Sequence, residues 1–168
     1  MTFDQAFERL IGHEGGFSGN PHDRGNWTSG RIGVGELKGT KYGISAMTYP
    51  NEDIANLTID RAKALYKRDF WAASGAEIVP DILKFDVFDT AVNSGPGRAL
   101  MFLQKAVDVE ADGKLGAITM HAIYHMEPAR LFARFNGHRL DFLNDNPDQW
   151  REFGRGWAQR IADNLKAA

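Results

Sequence analysis

At 168 residues the chain has the length of one domain, with 43% hydrophobic and 25% charged residues, enough to bury a core without covalent staples. A formal charge of −2 gives no reason to expect nucleic acid as a partner. The absence of cysteine excludes disulfides, zinc–thiolate centres and thiol nucleophiles, and no run approaches the roughly 18 apolar residues of a membrane span.

Asp4 and Glu8 interrupt the first apolar residues, so the N-terminus lacks the apolar core of a signal peptide. Synthesis in the cytoplasm without stable membrane insertion is therefore expected. Thr2 and Gln5 are spaced as a capping box for a helix whose apolar stripe is Phe3, Phe7, Leu10 and Ile11. Eleven steps of about 100° from Phe3 return to nearly the same direction, so a helix reaching Glu14 would aim that carboxylate along the stripe. Gly15 and Gly16 would end the helix there.

Residues 18–43 are dense in Gly, Asn and Asp and hold no sustained period. They predict a long ordered loop, with a small hairpin at most around Arg31 to Leu37. Thr58 should cap a helix running to about Trp71, with Ile59, Ala62, Tyr66 and Phe70 on one side. Pro80 opens the apolar segment Asp81 to Val92, expected to be the central buried helix. Asn93-Ser94-Gly95-Pro96-Gly97 breaks it. Helices are then expected from Arg98 to about Val107, near Ile118 to His125, from Pro128 with Leu131, Phe132, Phe135 and Leu140, and after Asn146-Pro147 with Trp150, Phe153, Trp157 and Ile161. Asp112-Gly113 marks a turn. The reading is mainly α, one domain over 1–168.

A carboxylic acid at a helix end against apolar side chains is partly desolvated, which raises its pKa toward that of a useful general acid. Glu14 fits that description, although an ordinary helix-terminal Glu more often ties down the following loop. Asp23 and Thr40 lie in the loop. A helix-end Glu, a loop Asp and a Thr suit inverting glycoside hydrolysis, where one acid protonates the leaving oxygen and a second group orients water. Taken singly, Asp23 reads as a turn former and Thr40 as a local cap.

The runs E-G-G-F-x-x-x-P-x-D-x-G, Glu14 to Gly25, and T-x-x-G-I, Thr40 to Ile44, resemble the signature of glycoside hydrolase family 108, N-acetylmuramidases of phage-endolysin type related to lysozymes. The family motif usually runs on without interruption. Here an insertion from Asn26 to about Gly39 separates its halves, which makes Thr28 a rival to Thr40. Thr40 is preferred because it precedes Tyr42-Gly43-Ile44 correctly. F-D-x-x-x-N-S-G ending at Gly95 and A-D-G-K-L-G at Ala111 to Gly116 are similar to the predicted peptidoglycan-binding region that follows in such proteins.

The resemblance implies a lysozyme-like helical fold with a long loop or small hairpin after the first helix. It divides the chain into a motif region, 1–92, and a helical peptidoglycan-binding-like region, 93–168. It implies cleavage of the β-1,4 bond between N-acetylmuramic acid and N-acetylglucosamine, with Glu14 as catalytic acid and Asp23 and Thr40 in supporting catalytic roles. No cofactor or metal is called for. Peptidoglycan glycan strands are the partner and a monomer is expected. Release to the periplasm through a holin-type pore, for cell-wall lysis by a bacteriophage, completes that expectation.

Sugars stack on aromatics and bond to amides, so Trp27, Tyr42 and Asn93 are candidate substrate contacts; each has a plain alternative as loop pin, core residue or helix cap. Two other function classes compete. A metal-dependent wall peptidase would use His121 and His125 at i, i+4, but that helix lacks the Glu of zinc proteases and a strong third ligand. His13 beside Glu14 and His22 beside Asp23 form a second, equally unsupported cluster. A non-catalytic wall-binding module would keep the fold without the chemistry. Arg130, Arg134, Arg139, Arg151, Arg155 and Arg160 predict a solvated cationic helix face, with an anionic wall polymer as the partner it would suit. Within the same fold a lytic transglycosylase needs only the Glu. Gly30 to Gly35 is not a dinucleotide fingerprint, because no strand precedes it and its spacing is wrong.

Overall fold

Seven helices and one two-stranded ribbon make up the described secondary structure, apart from short helical turns: α1 Phe3–Ile11, β1 Thr40–Lys41, β2 Ile44–Ser45, α2 Ile59–Tyr66, α3 Asp81–Ser94, α4 Pro96–Ala106, α5 Ala117–His125, α6 Pro128–Asn144 and α7 Pro147–Lys166. The computed structural model describes residues 1–12, 16–145 and 147–167. The fold is mainly α and lysozyme-like, as expected. No helix among the described residues is long and apolar enough to cross a membrane.

The capping box forms at α1. The Thr2 amide donates to Gln5 at 2.8 Å and the Gln5 amide to Thr2 Oγ1 at 3.3 Å. The helix stops sooner than its stripe suggested. Gly12, at φ 58, takes the left-handed conformation that closes a helix, and its amide still reaches the Glu8 carbonyl at 3.0 Å. The expected alignment of Glu14 with the stripe lies outside the described residues.

The chain forms two compact units. The smaller, Phe7–Lys67, holds the ribbon and α2. Its core includes Phe7, Ile44, Ile54, Leu57, Ala62, Leu65 and Tyr66, with Phe7 edge-on to Tyr66 at 5.4 Å. Thr58 caps α2 by accepting from the Arg61 amide at 3.2 Å. Regular α-helix ends at Tyr66, not Trp71, and a π-type turn, Lys67–Ala72, continues it. Ile59 is exposed, so the buried stripe is Ala62, Leu65 and Tyr66.

The larger unit comprises Met1–Ala6 and Arg68–Ala168. Its division from the smaller lies at Lys67/Arg68, whereas the 92/93 boundary read from sequence falls inside α3. As expected, α3 is central: Leu83, Val87, Phe88 and Ala91 are fully buried, and α4 and α6 pack on it. Leu103 of α4, Leu131 and Phe135 of α6, and Ile161 of α7 complete the core. The break between α3 and α4 is a single residue. Gly95 sits at φ 91, and Pro96 starts α4 at once, two residues before the expected Arg98.

Candidate active site

The loop of the smaller unit is held by an ordered hydrogen-bond network. Ser18 and Thr40 exchange both main-chain hydrogen bonds, at 2.8 and 2.9 Å, which joins the E-G-G-F run to the T-x-x-G-I run. Gly39 permits this approach. It sits at φ 86, and a Cβ there would lie 2.5 Å from the Phe17 ring and 2.6 Å from the Ser18 carbonyl. The insertion that separates the two runs is thus looped out, and its ends meet.

Asn26 is the hub of that arrangement. Its side chain is completely buried. Its Oδ1 accepts from the Thr40 hydroxyl at 2.7 Å, and its Nδ2 donates to the Asn20 carbonyl at 3.0 Å. Its own carbonyl accepts from the Lys38 and Gly39 amides, and its amide donates to the Asp23 carbonyl at 3.1 Å. Asp23 caps the short 3-10 turn Arg24–Asn26, with Oδ1 accepting from the Gly25 amide at 2.8 Å. Asp23 and Thr40 are therefore both tied to one buried amide. Sequence reasoning passed over Asn26, treating it as the start of an insertion; only its burial reveals it.

Trp27 pins the loop, its indole donating to the Pro21 carbonyl at 2.9 Å while its backbone bridges to Leu37. Thr28, the rival threonine, clamps the base of the excursion: its Oγ1 accepts from the Glu36 amide at 3.0 Å, and its own amide donates to the Glu36 carbonyl at 3.0 Å. Beyond that clamp no strand ladder forms. Ile32, Val34 and Leu37, the apolar positions of the expected hairpin, are all exposed. The ribbon instead pairs Thr40 with Ser45 and Lys41 with Ile44. Its two-residue turn, Tyr42-Gly43, has both φ angles positive, at 51° and 75°, the geometry that matches strand twist in tight hairpins.

Gly43 is required there, because a Cβ would lie 2.3 Å from the Tyr66 hydroxyl. That hydroxyl donates to the Tyr42 carbonyl at 3.2 Å, and burial pushes its pKa up to about 12. Tyr42 thus contributes its backbone to the turn, while its half-buried ring has the Lys41 ammonium 5.5 Å from its centre.

A recess beside Phe17 also escaped the sequence reading. Phe17 exposes half of its surface beside a recess of about 380 Å³ that Leu37, Glu52 and Asp53 also line. Glu52 accepts from Arg61 Nη2 at 2.5 Å and Nε at 3.2 Å, and hydrogen bonds from Asn56 hold Asp53 below the usual carboxylate range. Asn93, by contrast, belongs to the larger unit. It is exposed in the last turn of α3, donating to the Asp89 carbonyl at 2.7 Å and to Asp89 Oδ1 at 3.1 Å. Glu14 and His13 lie outside the described residues.

The metal reading finds no geometric support among the described residues, where no three His, Asp or Glu side chains converge. The His121 and His125 rings stack 4.0 Å apart, and His125 Nδ1 is already bonded to the His121 carbonyl at 2.8 Å. The cationic face is also corrected. Arg139 is 4% exposed and lies 2.6 Å from the buried Asp89, which Arg160 reaches at 2.9 Å. Arg134 caps the end of α4 through the Ala106 carbonyl and pairs with Asp108. Three of the six arginines are thus structural ligands.

The family model for Glycosyl hydrolase 108 matches residues 7–95, a span containing Glu14, Asp23, Trp27, Thr40, Tyr42 and Asn93. The chain belongs to that family. It is a glycoside hydrolase of the peptidoglycan-cleaving, muramidase type. The solved structure of Brucella abortus SagA is similar over 98% of this chain and 92% of its own, with 27% identity and a TM-score of 0.81. No curated protein matches the sequence.

Proposed function

We propose that the enzyme cuts the β-1,4 bond between N-acetylmuramic acid and N-acetylglucosamine, with Glu14 protonating the leaving oxygen. The pairing of Ser18 with Thr40 carries this reading, because it joins the run that begins at Glu14 to the threonine of the second run despite the insertion. Thr40 and Asp23 are the groups that orient the attacking water. The Thr40 hydroxyl donates its proton to Asn26, so its oxygen is left as an acceptor for that water. Asp23 is exposed and commits Oδ1 to the turn. Trp27, Tyr42 and Asn93 are the proposed sugar contacts. Phe17 joins them as an exposed aromatic face beside a recess of ligand size.

The region after residue 93 then serves to hold the wall, and release through a holin-type pore for phage-driven lysis remains the expected setting. The test compares the protein with Glu14→Gln on purified peptidoglycan, scoring new reducing ends and product masses. A general acid contributes about 10²- to 10⁴-fold. A loss of that size in a variant with unchanged thermal unfolding is the expected result. A 1,6-anhydro product would instead make the protein a transglycosylase, and full activity in the variant would remove Glu14 from the mechanism.

A further inference from the structure

A second cavity, of about 340 Å³, lies wholly within the larger unit and is lined by residues of α3, α4, α6 and α7. Arg98, Arg139 and Arg160 line it together with Gln149, Phe142 and Trp157, and its lining includes no carboxylate. Three guanidinium groups around one opening call for anionic partners, and two of them, Arg139 and Arg160, share one carboxylate. That partner, Asp89, is 1% exposed and fully used. Its Oδ1 accepts from Arg160 at 2.9 Å and Asn93 at 3.1 Å, and its Oδ2 from Arg139 at 2.6 Å and Asn164 at 3.4 Å. A carboxylate has about four acceptor sites, so nothing is left for the rest of Arg139. Arg139 Nη1 is accordingly buried with no hydrogen-bond partner. A buried guanidinium donor without an acceptor is costly, and such groups are completed by ordered water, an ion or a ligand.

The other two arginines differ. Arg160 is about half exposed, and the Arg98 guanidinium lies over the Phe142 ring, 4.1 Å from its centre, a contact that does not itself occupy the N–H donors. Planar forks favour bidentate oxyanions. The cavity is too large for a bare ion, and its Phe142 and Trp157 walls suit an organic body. Gln149 adds a neutral amide to the lining.

We propose that this cavity binds the terminal carboxylate of a short peptide. The stem peptides of peptidoglycan are the source, a clause that rests on the glycosidase reading. The cavity would then hold the enzyme on peptide-bearing wall while the smaller unit contributes the catalytic groups Asp23 and Thr40.

The test uses the full chain and follows tryptophan fluorescence and calorimetric heat on titration with N-acetyl-D-alanyl-D-alanine, its C-terminal amide and inorganic phosphate. Saturable binding of the free acid is expected, at least tenfold weaker for the amide and tenfold weaker in Arg98→Gln, whose exposed side chain is replaced without loss of fold. Equal binding of acid and amide, no binding, an unchanged Arg98→Gln, or phosphate as tight as the peptide would each overturn the proposal. Sedimentation with intact and peptide-stripped glycan assigns the source, and retention that survives stripping overturns the stem-peptide assignment. Reducing ends released from stripped glycan report the glycosidase without the cavity, so the two readings fail separately.

Discussion

Two buried polar hubs organise this molecule, and they differ in charge and in reach. In the smaller unit, Asn26 is a neutral amide whose partners all lie between residues 20 and 40. In the larger unit, Asp89 is an ion whose partners include Arg139, Arg160 and Asn164, 50, 71 and 75 positions away. The neutral hub fixes the shape of one loop, bonding that loop's main chain and the Thr40 hydroxyl. The charged hub ties α3 to α6 and α7, and it leaves two cations sharing one anion. A local amide network can be satisfied completely by its own loop. A buried ionic one draws its partners from distant helices, and any charge left uncompensated there is costly.

The sharpest way to break the contrast is Asp89→Ala. It strands Arg139 in the core without its counter-ion, and removal of one partner from a buried pair costs about 3–5 kcal/mol. Urea unfolding should show that loss, with the α6 and α7 amides losing exchange protection. Asn26→Ala should cost less, about 2 kcal/mol, because a neutral donor and acceptor are orphaned instead of a charge. Its effect should be confined to faster exchange at Lys38, Gly39 and Thr40, with a fall in glycan cleavage larger than the fall in stability. Global unfolding by Asn26→Ala, or a purely local effect of Asp89→Ala, would reverse the assignment of reach to the two hubs.

The smallest effect belongs to Tyr66, whose hydroxyl supports the Tyr42-Gly43 turn. Tyr66→Phe removes one neutral hydrogen bond, about 1 kcal/mol. The native hydroxyl has its pKa raised by burial to about 12, so the folded state favours the protonated form. The associated stability is fully present below the unfolded tyrosine range near pH 10 and is lost as pH rises toward 12. Alkaline titration of the thermal midpoint should therefore fall less steeply between those values in Tyr66→Phe than in the parent.

Much of the helical half was legible because its signals are local. Pro80, Pro128 and Pro147 mark starts, Gly95 with Pro96 marks a break, and the buried stripes follow the 3.6-residue period. The loop was legible as a loop and as a family motif, yet its internal geometry was not. The spaced apolar residues of Arg31 to Leu37 predict a hairpin, but in the fold Ile32, Val34 and Leu37 stay exposed. The ladder formed instead at Tyr42-Gly43, where positive φ and the Tyr66 hydroxyl meet.

The sequence by itself determined the helical class, the capping of α1 and α2, the central position of α3 and the family motif. The helical class and the two caps are set by neighbours within about one or two turns of chain, and the motif by residue types in two separate runs. Only the tertiary structure decided that Gly12 ends α1, that the insertion closes so Ser18 meets Thr40, and that Arg139 and Arg160 turn inward onto Asp89. Those outcomes depend on which distant groups reach the same buried volume, and a desolvated polar atom must find its partner wherever the fold provides one.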